Sequence, residues 1–197
     1  MIAFKGFTKD LTARLGSGNY QFESGKTYTE ESSKTVRSGF HCCENPFECL
    51  GYYSLNTDDR FFLVEATGSI DEDEQERIAC TELTLLKELS NKEFAGYGMT
   101  YIIKHPMRDK WQHRGRGAVV AKDVAEGSEE DFIAIARGAC PKVKGVKGAI
   151  LGLILEPAKG NITGAKLFTV TEEQAGKWYT IDESRQLLEV DDEEESD

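Results

Sequence analysis

Hydrophobic and polar positions alternate over short runs along most of the chain, and glycine, proline or acidic turns close the runs. Residues 2–7 (IAFKGF), 26–29 (KTYT) and 60–66 (RFFLVEA) read as strands, the last aromatic and β-branched between Asp58-Asp59 and Gly68. Tyr20 to Phe22 leads through Ser24-Gly25-Lys26 into the second of these, as in a hairpin. Over 73–89 the period changes. Ile78, Ala79, Leu83, Leu86 and Leu89 fall at helical spacings, with Asp73 and Glu76 as a capping pair, and a helix is predicted. A shorter helix is expected over 46–53, where Asn45 can cap and Pro46 at the first helical position gives up no needed hydrogen bond.

Beyond Ser90-Asn91 the chain is punctuated by Gly96, Gly98, Gly115, Gly117, Gly127 and Gly138, and no helix is expected there. Residues 117–124 (GAVVAKDV), 132–137 (FIAIAR) and 149–156 (AILGLILE) are rich in Ala, Val and Ile. Their small residues recur at intervals of roughly a dozen or more, the pattern of stacked strands in a solenoid-like or tightly packed sheet. Residues 165–170 and 177–181 (KWYTI) read as a closing hairpin. The expected fold class is therefore α+β: a mixed or antiparallel β-rich N-terminal half with two short helices, followed by Gly/Ala-rich stacked strands. The expected division is an α+β domain over 1–92, a β-rich part over 93–190 and an acidic disordered tail over 191–197.

Composition supports a folded chain: 197 residues, 39% hydrophobic and 10% aromatic, carry enough apolar material for a core. The longest apolar or glycine run, 149–155, is far shorter than the roughly 20 residues that cross a bilayer, and MIAFKGFTKDL lacks a signal-like apolar segment. A cytoplasmic protein with no membrane attachment is the expectation. The net charge of −11 is unevenly placed, because 189–197 (EVDDEEESD) holds seven acids and no base; without them the body is near −4. Such a run solubilises a terminus, or else attracts a basic partner. A second acidic cluster, 71–76 (DEDEQE), makes Asp71, Glu72 and Asp73 binding candidates.

Basic charge gathers over 104–116 (KHPMRDKWQHRGR), where Asp109 is the single acid. Lys104, Arg108, Lys110, Arg114 and Arg116 could dock an acidic group, with Trp111 as a stacking face. The overall negative field argues against nonspecific nucleic-acid binding. Cys42, Cys43, Cys49, Cys80 and Cys140 make an odd count, so structural disulfides are not expected. His41-Cys42-Cys43 with Cys49 lacks a Cys-x-x-Cys pair, so zinc is disfavoured, and the cysteines read as small buried hydrophobes. Neither a metal nor a cofactor is expected.

Lys5-Gly6-Phe7, residues 22–28 (FESGKTY), 39–43 (GFHCC) with Asn45-Pro46, the pair Tyr52-Tyr53, and residues 60–68 together resemble an uncharacterised domain found in proteins of phages and gut bacteria. The likeness covers about residues 1–90 and extends to the Trp-Tyr strand at 177–180. It implies a phage or mobile-element origin, with no chemistry to transfer. A Gly-Phe-His strand end, a short helix ending in Tyr and a following strand also look like the core order of ADP-ribosyltransferase-like folds. That likeness implies a strand residue holding a nicotinamide dinucleotide at the position of Lys5, Tyr52 or Tyr53 stacking on the nicotinamide, and Glu65 or Glu82 orienting the ribose. His41 would line the same cleft, or serve as a buried imidazole bonded to backbone.

Three functions follow as expectations. The leading one is a non-enzymatic accessory protein, of phage or mobile-element origin, that binds another macromolecule through charged surfaces, such as a host protein in the host cytoplasm. The second is a nucleotide-binding protein or enzyme with a cleft at His41, Tyr52 and Tyr53. The third is a structural virion component that forms a homo-oligomer through its glycine-spaced strands.

Overall fold

The computed structural model describes residues 1–13, 20–35, 37–73 and 77–191. The chain divides into two compact units, Met1–Phe94 and Ala95–Asp197.

The first unit contains β1 (Ile2–Phe7), β2 (Thr27–Thr29), β3 (Phe40–Cys43), a 3₁₀ helix (Pro46–Gly51), β4 (Arg60–Glu72), β5 (Arg77–Glu88) and the first turn of α1 (Asn91–Lys104). All the strand pairings are antiparallel, in the order β2-β5-β3-β1-β4 with β4 also paired to β5. That extra pairing closes β5, β3, β1 and β4 into a ring, which leaves fewer exposed hydrogen-bonding groups than an open sheet. Ala3 and Phe7 of β1, Phe40 and Cys42 of β3, Phe62 and Val64 of β4, and Ile78 and Leu83 of β5 share the core inside it. The register is strongly fixed by this burial, because a slip of one residue would turn the apolar set outward.

This closed β-ring overturns the α+β expectation for the N-terminal half. The helix predicted over 73–89 is instead the strand β5 where the chain is described; residues 74–76, including Glu76 of the expected capping pair, lie outside the described residues. Leu83 and Leu85 are buried while Leu86 is exposed, and β-branched Thr81 and Thr84 occupy half-buried positions, a pattern of period two rather than 3.6. The apolar set fitted both periods, and pairing to β4, β3 and β2 decided between them. Only a six-residue 3₁₀ helix forms at 46–51, with the Asn45 side chain accepting from Phe47 N at 3.1 Å.

Nor is the chain beyond residue 90 free of helix, because α1 runs through Gly96 and Gly98. Its start is a capping box: Ser90 Oγ accepts from Glu93 N at 3.3 Å, and the Glu93 carboxylate accepts from Ser90 N at 3.0 Å. Phe94 packs its ring on Phe61 and Phe47, 4.7 and 5.8 Å between centroids. This burial and the cap together outweigh the roughly 1 kcal/mol that each helical glycine costs.

In the second unit, β6 (His113–Gly115), β7 (Ala118–Gly127), β8 (Ile133–Gly145), β9 (Ile150–Leu155), β10 (Gly164–Thr169), β11 (Trp178–Ile181) and β12 (Leu187–Val190) form one mixed sheet. β7, β8 and β9 are successive, parallel and directly paired. The thirteen residues of β8 would span about 40 Å if straight. Yet Ile133, its first residue, pairs with Ile150, five residues beyond its last, and five residues reach at most about 18 Å. β8 must therefore fold back on itself. The bend lies beside Asp123 in β7, whose φ is +64°, and opposite Gly138, where a Cβ would collide with the Asp123 carboxylate. The strands thus stack as coils with Ala134, Ala136, Val143, Leu151 and Leu153 in one core.

Candidate functional site

β1 and β3 share one register pair, Phe4 with Cys43. Continued, that antiparallel ladder would set Gly6 opposite His41, but the strands separate first. The gap is filled from two directions. Lys5 Nζ donates to the His41 carbonyl oxygen at 2.6 Å, taking the hydrogen bond a β1 amide would otherwise supply. The Tyr53 ring lies on the bare backbone of Gly6, where a Cβ would stand 2.6 Å from Tyr53 Cγ.

Between the parted strands is a cavity of about 570 Å³. Lys5 is its most unusual lining residue: only 8% exposed, on a strand whose neighbouring positions are apolar. Its Nζ stands 5.4 Å from the centre of the Phe7 ring and 5.9 Å from that of Phe22. Among the described residues no carboxylate forms an ion pair with it. Burial pushes its ammonium below the usual lysine range, opposed by the thiols of Cys42, Cys49, Cys43 and Cys80. Those thiols are themselves arranged in pairs. Cys42 is pushed up by its hydrogen bond with Cys80 and by burial, and Cys49 by its hydrogen bond with Cys43 and by burial. Both are therefore protonated at neutral pH.

Aromatic side chains make the walls. Tyr20, Phe22 and Phe40 are mutually packed at 4.8 to 5.9 Å between centroids, and Tyr52 and Tyr53 also line the cavity. Arg37 and Arg77 also line the cavity, and Glu30 is its one acid among the described residues. Arg77 is held by Asp73 at 2.8 Å and hydrogen-bonds Tyr52. His41 is half-buried, and desolvation with the nearby Lys5 charge holds its imidazole below the usual histidine range. Hydrogen bonds to the backbone of Lys34 and Gly39 oppose that shift.

The structure thus brings Lys5, His41, Tyr52 and Tyr53 to one cavity. Glu65 and Glu82 are elsewhere: Glu65 is exposed in the middle of β4, and the Glu82 carboxylate accepts from Thr67 Oγ1 at 3.0 Å. The acidic binding candidates are largely committed within the chain. Asp71 accepts from Lys34 Nζ at 2.9 Å and from the Thr35 amide and hydroxyl at 2.7 Å, which hold its carboxyl well below the usual carboxylate range. Asp73 takes Arg77, and Glu72 is exposed. In the second unit Lys104, Arg108, Lys110, Arg114 and Arg116 are all exposed. Trp111 is half-buried with the Arg137 guanidinium 4.8 Å from its ring centre, so one stacking face is already covered. Of the acidic tail, Glu189 lies in β12 and accepts from Lys177 at 2.9 Å; residues 192–197 lie outside the described residues.

Sequence reasoning missed Arg37 and Arg77 at the cavity, and the aromatic wall of Tyr20, Phe22 and Phe40. No spacing signal connects these residues; the ring closure does. Among the described residues no three His, Cys, Asp or Glu side chains group as a metal site requires, and no helix is long and apolar enough to cross a membrane.

Residues 1–96, which include every residue of the cavity, match a domain of unknown function (DUF7666). No curated protein and no solved structure matches the chain.

Proposed function

We propose that the N-terminal unit is a receptor for a small planar anion, an aromatic or heteroaromatic ring carrying a phosphate or carboxylate. The observation that carries this reading is the cavity of about 570 Å³ between β1 and β3, which falls within the usual range for small-ligand sites of about 300–1,000 Å³. The aromatic lining of Tyr20, Phe22, Phe40, Tyr52 and Tyr53 favours a flat ring, and Lys5 and Arg37, with Glu30 the one acid among the described lining residues, favour negative charge. The volume suits a mononucleotide-sized molecule better than a dinucleotide. A phage or mobile-element origin is compatible with this role but adds nothing to it.

The test is thermal unfolding of the full chain with adenosine monophosphate, nicotinamide mononucleotide and pyridoxine 5′-phosphate, each at millimolar concentration. At least one should raise the melting temperature, and the rise should vanish in Ser38→Trp, which plugs the cavity. No shift with any of the three overturns the reading.

A second reading concerns the other unit. The five exposed cations over 104–116 would dock an acidic macromolecular partner, since Asp71 and Asp73 are engaged within the chain. Capture by that surface would weaken steeply with added salt.

A further inference from the structure

We propose that Lys5 forms an imine with the carbonyl group of an anionic aldehyde or 2-oxo acid bound in the β1–β3 cavity. This inference rests on the receptor reading above and names the ligand chemistry within it.

Three features of the site carry it. Lys5 lines a cavity although its side chain is almost wholly withdrawn from solvent. Among the described residues its hydrogen-bond acceptor is a neutral carbonyl, that of His41, and it stands by the Phe7 and Phe22 rings and the Cys42 thiol instead of a carboxylate. A surface lysine is a strongly hydrated ammonium with no free electron pair, whereas an amine desolvated among apolar groups presents that pair to an electrophile. Arg37 supplies charge for the anionic group of the ligand, and the aromatic lining offers contact to its carbon frame. A purely structural lysine would gain more from a carboxylate partner, because an unpaired buried ammonium is costly.

The step balances without any further reactant. The Nζ electron pair attacks the carbonyl carbon, and the C=O π pair moves to oxygen. Both protons of the neutral amine pass to that oxygen, which leaves as water, and a C=N bond remains. No oxidation state changes.

The test uses the full chain with pyridoxal 5′-phosphate and, separately, pyruvate, each trapped by cyanoborohydride and mapped by peptide mass spectrometry. Lys5 should be modified faster than exposed Lys9 and Lys26 at neutral pH, because burial lowers its pKa and so raises its neutral fraction. The preference should disappear in chain unfolded by urea, a control independent of any variant. In Lys5→Met the fast modification should be lost. Equal or slower labelling of Lys5 in the native chain overturns the proposal. Pyridoxine 5′-phosphate, which lacks the carbonyl, separates the two readings: a melting shift with it but no Lys5 adduct removes the imine and leaves the receptor. No shift with adenosine monophosphate, nicotinamide mononucleotide or pyridoxine 5′-phosphate, together with no adduct, removes both.

Discussion

Tyr53 occupies the space that a side chain on Gly6 would need, its Cγ 2.6 Å from where a Cβ would stand. Gly6 is thus the residue that lets an aromatic ring close one wall of the cavity. Its role is close approach, for its φ is not in the left-handed region. Gly6→Ala should cost about 1–3 kcal/mol by overpacking, and should also weaken ligand-induced stabilisation by displacing Tyr53. Urea unfolding of the two proteins checks the first, and a ligand titration the second. Unchanged stability would mean that Tyr53 does not rest on Gly6.

Lys5 gives stability a pH dependence of defined sign. Its folded pKa lies below its unfolded value, so between the two the unfolded chain binds more protons, and stability rises with pH across that window. Below the window the buried ammonium burdens the fold. Cys42 and Cys49 act oppositely: their folded values are raised, and their contribution is lost as pH climbs through the thiol range. The expected signature is a difference. As pH rises toward the unfolded lysine value, wild type should gain stability relative to Lys5→Met, as read from urea midpoints. Parallel profiles would contradict a buried, depressed Lys5.

The cysteines make a simpler prediction. Cys42, Cys43, Cys49 and Cys80 are buried and Cys140 is exposed. An aromatic disulfide reagent should titrate one thiol rapidly in the native chain and all five in denaturant. Two or more fast thiols would show that the ring of β5, β3, β1 and β4 opens readily.

In the second unit, Arg137 is 2% exposed and its fork meets the Glu156 carboxylate twice at 2.7 Å. It also donates to the Pro106 carbonyl and so ties the basic loop to β8. Arg137→Met should cost about 3–5 kcal/mol, because it leaves Glu156 largely buried without its partner. Adding Glu156→Leu should recover much of that loss. Additive losses in the double variant would show that the pair is not coupled.

Much of the β-structure was legible because strands such as 60–66 and 149–156 carry their own signal of β-branched and aromatic residues between turn formers. β5 was not, since Ile78, Leu83, Leu86 and Leu89 satisfy a helical period that only the neighbouring strands could veto. α1 was masked by Gly96 and Gly98, although Ser90 and Glu93 carried the capping signal three residues apart. At the site, Lys5, His41, Tyr52 and Tyr53 were marked by a resemblance, but their convergence depends on β1 and β3 parting after one pair. Nothing local to any of the four encodes that. The acidic triad shows the converse: Asp71 and Asp73 look like a surface lure in sequence and are hydrogen-bonded within the fold.

The most direct test of the account is calorimetric titration of the full chain with each of adenosine monophosphate, nicotinamide mononucleotide and pyridoxine 5′-phosphate, judged on the one that binds most tightly, in wild type and in Ser38→Trp. The account predicts saturable binding of one molecule per chain in wild type and none in the plugged variant. Heat identical in the two proteins, or no heat in either, would contradict a ligand site between β1 and β3.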